Sequence, residues 1–284
     1  METNPDLNEP TAAQDGSQTR AVFLFFLLAF AITWIVWVPR AMGVGWAKSV
    51  GTIWTYAPLL AAFATALLTG GRDSARQLAK SLDNWRFGLR WYLLIILGPA
   101  ALALVVAAVS ALFGAGWGES IPDSFTAPLP VILLLIVILS VTDGLGEEMG
   151  WRGFALPRML AGWNATISSI LLGIVWAAWH LPLFFTEGSA LDGASIWILM
   201  ARLPATAIIF TWVFAHTGGS VVAAIVLHGS LNLFAVAPAS AGQTLTPDLA
   251  YLAAHWLIAL VLVIAAGSKS LDRWPGVFRV SRTP

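Results

Sequence analysis

The chain has 284 residues, 58% of them hydrophobic and 11% charged, against roughly 25% charged in soluble domains. A mean hydropathy of +0.79 with a formal net charge of zero excludes a soluble globular protein and leaves no basic surface for nucleic acid. Cysteine is absent, which excludes disulfides, thiolate metal sites and a cysteine nucleophile together.

Residues 1–20 are polar, with four acids and two prolines, and carry too little apolar surface to order themselves, so they read as a flexible tail. The apolar run over 21–38 succeeds this acidic tail and lacks a small-residue cleavage site, so it reads as a retained helix, not a secretory signal. Further apolar segments at 50–69, 91–113, 129–146, 165–186, 195–215, 219–237 and 249–267 each approach the ~20 residues that a bilayer requires. The expected fold is all-α: a polytopic membrane protein of about eight transmembrane helices, one domain over 21–268 with a short basic tail at 269–284. Trp34, Trp37, Trp91, Trp163 and Trp197 fall near the ends of these runs, where an indole keeps its N–H in the wet headgroup zone.

Basic residues collect on the cytoplasmic side of membrane proteins, so their distribution orients the chain. The 70–90 loop carries five: Arg72, Arg76, Lys80, Arg86 and Arg90. Arg20, Arg152, Arg158, Lys269, Arg273, Arg279 and Arg282 fall on the same side, making twelve, against Arg40 and Lys48 on the other, with Arg202 inside a span. This split places both termini in the cytoplasm.

Ionisable groups inside a bilayer cost roughly 2.5–3.5 kcal/mol each at a helix centre, so each requires a function or a partner. In "DGLGEEMGWR", Glu148 and Arg152 are four residues apart on one helical face and can pair, while Glu147 points elsewhere. Downstream, "VWAAWHLP" spaces Trp176 and His180 one turn apart, with Pro182 expected to bend the chain just beyond. "VLHGSLNLF" stacks His228 above Asn232 on one face. The turn between the fourth and fifth helices is expected at 161–164, with Gly162 ending one helix and Asn164 capping the next. A fourth helix of about 30 residues then puts Glu147 and His180 each about 16 residues, or roughly 24 Å, from that turn and at one depth.

A carboxylate and an imidazole can share and deprotonate a water, while a second imidazole and a carboxamide donate to an oxyanion. Glu147, His180 and His228 are equally a candidate ligand set for a divalent metal, zinc being the natural occupant. Residue types alone leave the two open. H-E-x-x-H and G-x-S-x-G motifs are missing, and the acid after "GLG" is Glu where an aspartyl G-x-G-D site has Asp.

The ordered set of E-E-x-x-x-R (Glu147, Glu148, Arg152), aromatic-x-x-x-H (Trp176, His180) and H-x-x-x-N (His228, Asn232) resembles the CPBP intramembrane protease family, over about 129–237. That family includes type II CAAX prenyl endopeptidases and bacterial abortive-infection and bacteriocin-immunity proteins. The resemblance implies that Glu147 and His180 activate a water, that His228 and Asn232 stabilise the oxyanion, and that Glu148 and Arg152 support them. It leaves glutamate-dependent and metalloprotease chemistry both open. The chain departs from the usual second motif in having Trp176 where Phe is common. The implied partners are a membrane-associated peptide or protein substrate, prenylated or not, and the lipid bilayer.

Two other classes fit an apolar chain with intramembrane charges: a non-catalytic immunity protein and a transporter. No inverted repeat or pair of broken helices supports the transporter. Asp143, one turn before Glu147, reads as a hydrogen-bonding or tuning residue, and Arg202 as a neutraliser of an acid or a substrate contact. Ser230 is a further nucleophile candidate, and His216 and His255 read as structural residues near water.

Overall fold

A computed structural model of the chain describes residues 12–50, 52–117, 121–235 and 246–270. All regular structure among these residues is helical. Eight main helices succeed one another: α1 (Ala12–Ala41), α2 (Ala57–Lys80), α3 (Leu89–Leu112), α4 (Leu129–Met159), α5 (Ala165–Trp179), α6 (Ile196–His216), α7 (Val221–Leu233) and α8 (Thr246–Ser270). Six of the eight are long and apolar enough to cross a bilayer, α2 and α7 being the exceptions.

The eight main helices agree with the expected polytopic membrane protein, and α2 and α7 differ from the other six for separate reasons. α7 has only 13 residues, about 20 Å of helix. Its buried positions run from Val221 to Ser230 and take in all sides of the helix, so protein and not lipid sets its length. α2 is long enough but changes character at Gly71, where φ 66° and ψ −162° break the helix; beyond it runs the charged sequence RDSARQLAK. α1 begins at Ala12, inside the stretch expected to be a flexible tail, because Ala and Gln are strong helix formers and extend the membrane helix backwards. Residues 1–11 and 271–284, which carry most of the two expected tails, lie outside the described residues, as do 236–237 of the expected seventh span.

The long α4 runs 31 residues through the motif to Met159, the length needed to bring Glu147 to the depth of α5. Asn164 caps α5, its side chain accepting from the Ile167 amide at 2.9 Å. α5 ends at Trp179, and the chain tightens into a 3₁₀ turn over Leu181–Phe185 with Pro182 near its start. Two π-helical turns, Ser140–Gly144 and Trp151–Ala155, interrupt α4 on either side of the motif.

Apolar helices gain little from burying hydrophobic surface among lipid tails, so close packing and interhelical hydrogen bonds hold them together. Gly146 and Gly150, one turn apart on α4, take the start of α2 against them. A Cβ on Gly146 would collide with the Thr55 carbonyl, and one on Gly150 would lie 2.7 Å from Pro58. On another face of α4, Gly144 meets the Ile225 carbonyl and Gly229 of α7 meets the Ser140 backbone, both too closely for a side chain. These contacts draw α7 against the motif. Trp34 and Trp179 clasp α1 to α5, with Trp34 Nε1 donating to the Trp179 carbonyl (3.0 Å) and Trp179 Nε1 to Thr33 Oγ1 (2.8 Å).

Candidate active site

The centre of the site is the six-residue α-helical stretch Leu145–Gly150 between the two π-helical turns of α4. A π turn fits an extra residue into the helix and so resets the direction of the side chains beyond it. Glu147 and Glu148 leave this stretch in different directions, and both are buried.

Glu148 accepts from Arg152 Nη1 through both carboxylate oxygens at 2.9 Å, the pairing expected from the four-residue spacing. Its Oε1 also faces His228 Nδ1 at 2.8 Å, so the imidazole N–H donates to it. Glu148 therefore anchors Arg152 and orients His228, a double task invisible in sequence because 80 residues separate it from His228. Arg152 is fully buried, its guanidinium lying over the rings of Trp176 (4.7 Å) and Phe210 (4.2 Å).

Glu147 is held by two indoles. Trp176 Nε1 donates to Oε2 at 2.6 Å and Trp151 Nε1 to the same oxygen at 3.3 Å. The other oxygen, Oε1, lies 3.8 Å from His228 Nε2, close enough for one water to sit about 2.8 Å from both. Neither donor role is evident from the motifs, in which Trp176 stands simply as an aromatic equivalent of Phe. Trp151 does stand one turn after Glu147, the spacing at which an indole reaches back to a carboxylate.

His180 caps α5 and is half-buried. Its Nδ1–H donates to the Trp176 carbonyl at 2.8 Å, which fixes the tautomer and leaves Nε2 with a free lone pair. No hydrogen bond or ion pair joins it directly to Glu147; the residue between them is Trp176, bonded to each. Glu147 thus meets α5 one turn short of His180. The π turn at Trp151–Ala155 contributes to this offset, because it shortens the path from Glu147 to the 161–164 turn.

Asn232, one turn beyond His228, is exposed, and its amide donates to Asp143 Oδ2 at 3.1 Å. Asp143 thus has the hydrogen-bonding role that its position suggests. Ser230 Oγ is buried, without a hydrogen-bond partner among the described residues, and makes no bond to His228. His216 is exposed and donates to the Trp212 carbonyl (2.8 Å). His255, expected near water, is instead buried well inside α8, donating to the Tyr251 carbonyl at 2.8 Å.

Glu147, His180 and His228 are the candidate ligand set for a divalent metal. Among the described residues no three His, Asp or Glu side chains converge on one point. His228 Nδ1 is committed to Glu148 and Glu147 Oε2 to two indoles, which leaves His228 Nε2, Glu147 Oε1 and His180 Nε2 as the atoms of this set that could face a water or a metal ion.

Residues 128–234, from the start of α4 to the end of α7, match the family described as Type II CAAX prenyl endopeptidase Rce1-like. A curated relative, CAAX prenyl protease 2 of Methanococcus maripaludis, is 28% identical over 233 residues, covering 74% of this chain and 82% of the relative. Both comparisons agree with the family that the ordered motifs resemble. The six apolar helices, with this similarity, make the chain a multi-pass integral membrane protein. The same comparisons support a protease of the CAAX prenyl endopeptidase type.

Proposed function

We propose that this protein is an intramembrane endopeptidase that hydrolyses a peptide bond of a membrane-associated substrate of the CAAX type. Such substrates end in Cys-aliphatic-aliphatic-X and carry a prenyl group on the cysteine. The observation that carries the reading is the buried Glu147 carboxylate, one oxygen held by two indoles and the other facing His228 Nε2 at 3.8 Å.

Glu147 Oε1 takes a proton from water as the oxygen attacks the scissile carbonyl, a role worth about 10²–10⁴ in rate. His180 Nε2 accepts the other water hydrogen and directs the attack. His228, as an imidazolium, donates Nδ1–H to Glu148 and presents Nε2–H to the oxyanion. Asn232 gives one N–H to Asp143 and has the second for the same oxyanion. Collapse of the tetrahedral intermediate returns the Glu147 proton to the departing amine. Each oxyanion donor contributes about 10²–10³.

The test is cleavage of a prenylated CAAX peptide by the purified protein. Glu147→Gln and His180→Asn should each lower kcat/KM by at least about 10² while the variants remain monodisperse in detergent, and a chelator should leave the unaltered rate unchanged. Full activity in Glu147→Gln rules out the reading; loss of activity on chelation and recovery with zinc replaces the glutamate mechanism with a metal one.

A further inference from the structure

The π turn at Ser140–Gly144 interrupts the hydrogen-bond ladder of α4 at one identifiable carbonyl. In an α-helix each N–H donates to the carbonyl four residues back, which would pair Leu145 with Val141. The Leu145 N–H goes instead to the Ser140 carbonyl, five residues back. The Val141 carbonyl thereby loses its α-helical donor, on an exposed side of a helix long and apolar enough to cross the membrane. Lipid tails supply no replacement, so a carbonyl freed there requires a donor from a neighbouring segment.

Thr55 and Tyr56 provide that segment. They close the 3₁₀ turn Thr52–Tyr56 that leads into α2. The Tyr56 hydroxyl donates to the Val141 carbonyl at 2.6 Å, and Thr55 Oγ1 donates to the Thr142 carbonyl at 2.7 Å. Two adjacent side chains thus hold two adjacent carbonyls of the π turn. Gly146 permits the approach, because a Cβ there would collide with the Thr55 carbonyl and lie 3.0 Å from the Tyr56 Cα.

The held peptide groups immediately precede Asp143, whose Oδ2 accepts from the Asn232 amide at 3.1 Å. Farther along α4, Glu147 has its own anchors in two indoles, and Glu148 has Arg152 and His228. Asp143 has no such set of partners, and its direction follows from the shape of the π turn that contains it. We infer, on the protease reading above, that Tyr56 and Thr55 are positioning residues for proteolysis: they hold the π turn so that Asp143 keeps the Asn232 amide aimed at the oxyanion.

The test uses the full-length protein in detergent and a prenylated CAAX peptide. Tyr56→Phe and Thr55→Val each remove one hydroxyl and little volume. Each should lower kcat by about 3- to 10-fold, the factor that one neutral hydrogen bond supplies, with KM unchanged. Thr55→Ser keeps the hydroxyl and should stay within about 2-fold of the unaltered rate. The deciding measurement is a cycle with Asn232→Ala. In that background Tyr56→Phe with Thr55→Val should cost less than about 2-fold, since no amide is left to aim. A merely structural role would lower the unfolding temperature and leave kcat per folded molecule unchanged. Where the combined variant is not monodisperse, Tyr56→Phe alone carries the same cycle.

Unchanged kcat in Tyr56→Phe and Thr55→Val, a Thr55→Ser variant as slow as Thr55→Val, or an equal loss with and without Asn232 overturns the positioning role and leaves the protease reading standing. No cleavage by the unaltered protein overturns that reading and this inference with it.

Discussion

The link among Arg152, Glu148 and His228 makes a quantitative prediction. Glu148→Gln keeps the shape of the side chain and removes its charge. Arg152 has no exposed surface, and its Nε and Nη2 lack partners among the described residues, so the substitution leaves a guanidinium buried against two aromatic rings without the anion that pairs it. Breaking one side of a buried ion pair costs on the order of 3–5 kcal/mol, a large part of the roughly 5–15 kcal/mol that holds an ordinary domain together. Replacing both partners by neutral groups costs far less, because no charge is then stranded. Glu148→Gln with Arg152→Met should therefore unfold at a higher temperature than Glu148→Gln alone, measured by tryptophan fluorescence in one detergent. Both variants should lose proteolysis, since His228 Nδ1 loses its carboxylate acceptor in each. A single variant as stable as the unaltered protein, or a double variant less stable than the single one, refutes the stranded charge.

Two further outcomes rest on individual contacts. Trp176→Phe installs the ring common in the family but removes the 2.6 Å donor to Glu147 Oε2, leaving only the 3.3 Å bond from Trp151; a hydrogen bond to a charged group is worth about 1.5–3 kcal/mol. Its kcat should fall by roughly 10-fold or more, and Trp151→Phe added to it should lower the rate again. Gly146→Val places a side chain where the Thr55 carbonyl lies and should destabilise the protein by about 1–3 kcal/mol through overpacking, seen as a lower unfolding temperature; an unchanged temperature refutes the close approach of α4 and the start of α2.

How much of the site is legible in the sequence depends on distance along the chain. The Glu148–Arg152 pair is legible because four residues close one helical turn, and the 161–164 turn is legible because Asn164 is a strong N-cap. The length of α4 is legible because the turn fixes where it must end. The bond from His228 to Glu148 depends on how tightly α7 packs on α4, which rests on glycines whose absent side chains leave no trace in a hydropathy pattern. The level of Glu147 against α5 differs by one turn from the expected one, and the π turn at Trp151–Ala155, where a constant helical rise does not hold, contributes to the difference. Counting apolar residues also overstates α7, since it treats burial in protein and burial in lipid alike.

The paired π turns of α4 also bear on how this helix tolerates change. Each contains one residue more than an α-helical turn, so deleting a residue in Ser140–Gly144 restores regular helix there while the downstream part of α4 keeps nearly its facing. A deletion within Leu145–Gly150 has no wide turn to absorb it and would rotate the helix beyond by about 100°. Between these two register shifts, the stretch Leu145–Gly150 is set angularly apart from both the lipid-facing half and the cytoplasmic end of its own helix. It could therefore be exchanged between related chains as a unit, the helix on either side keeping its orientation.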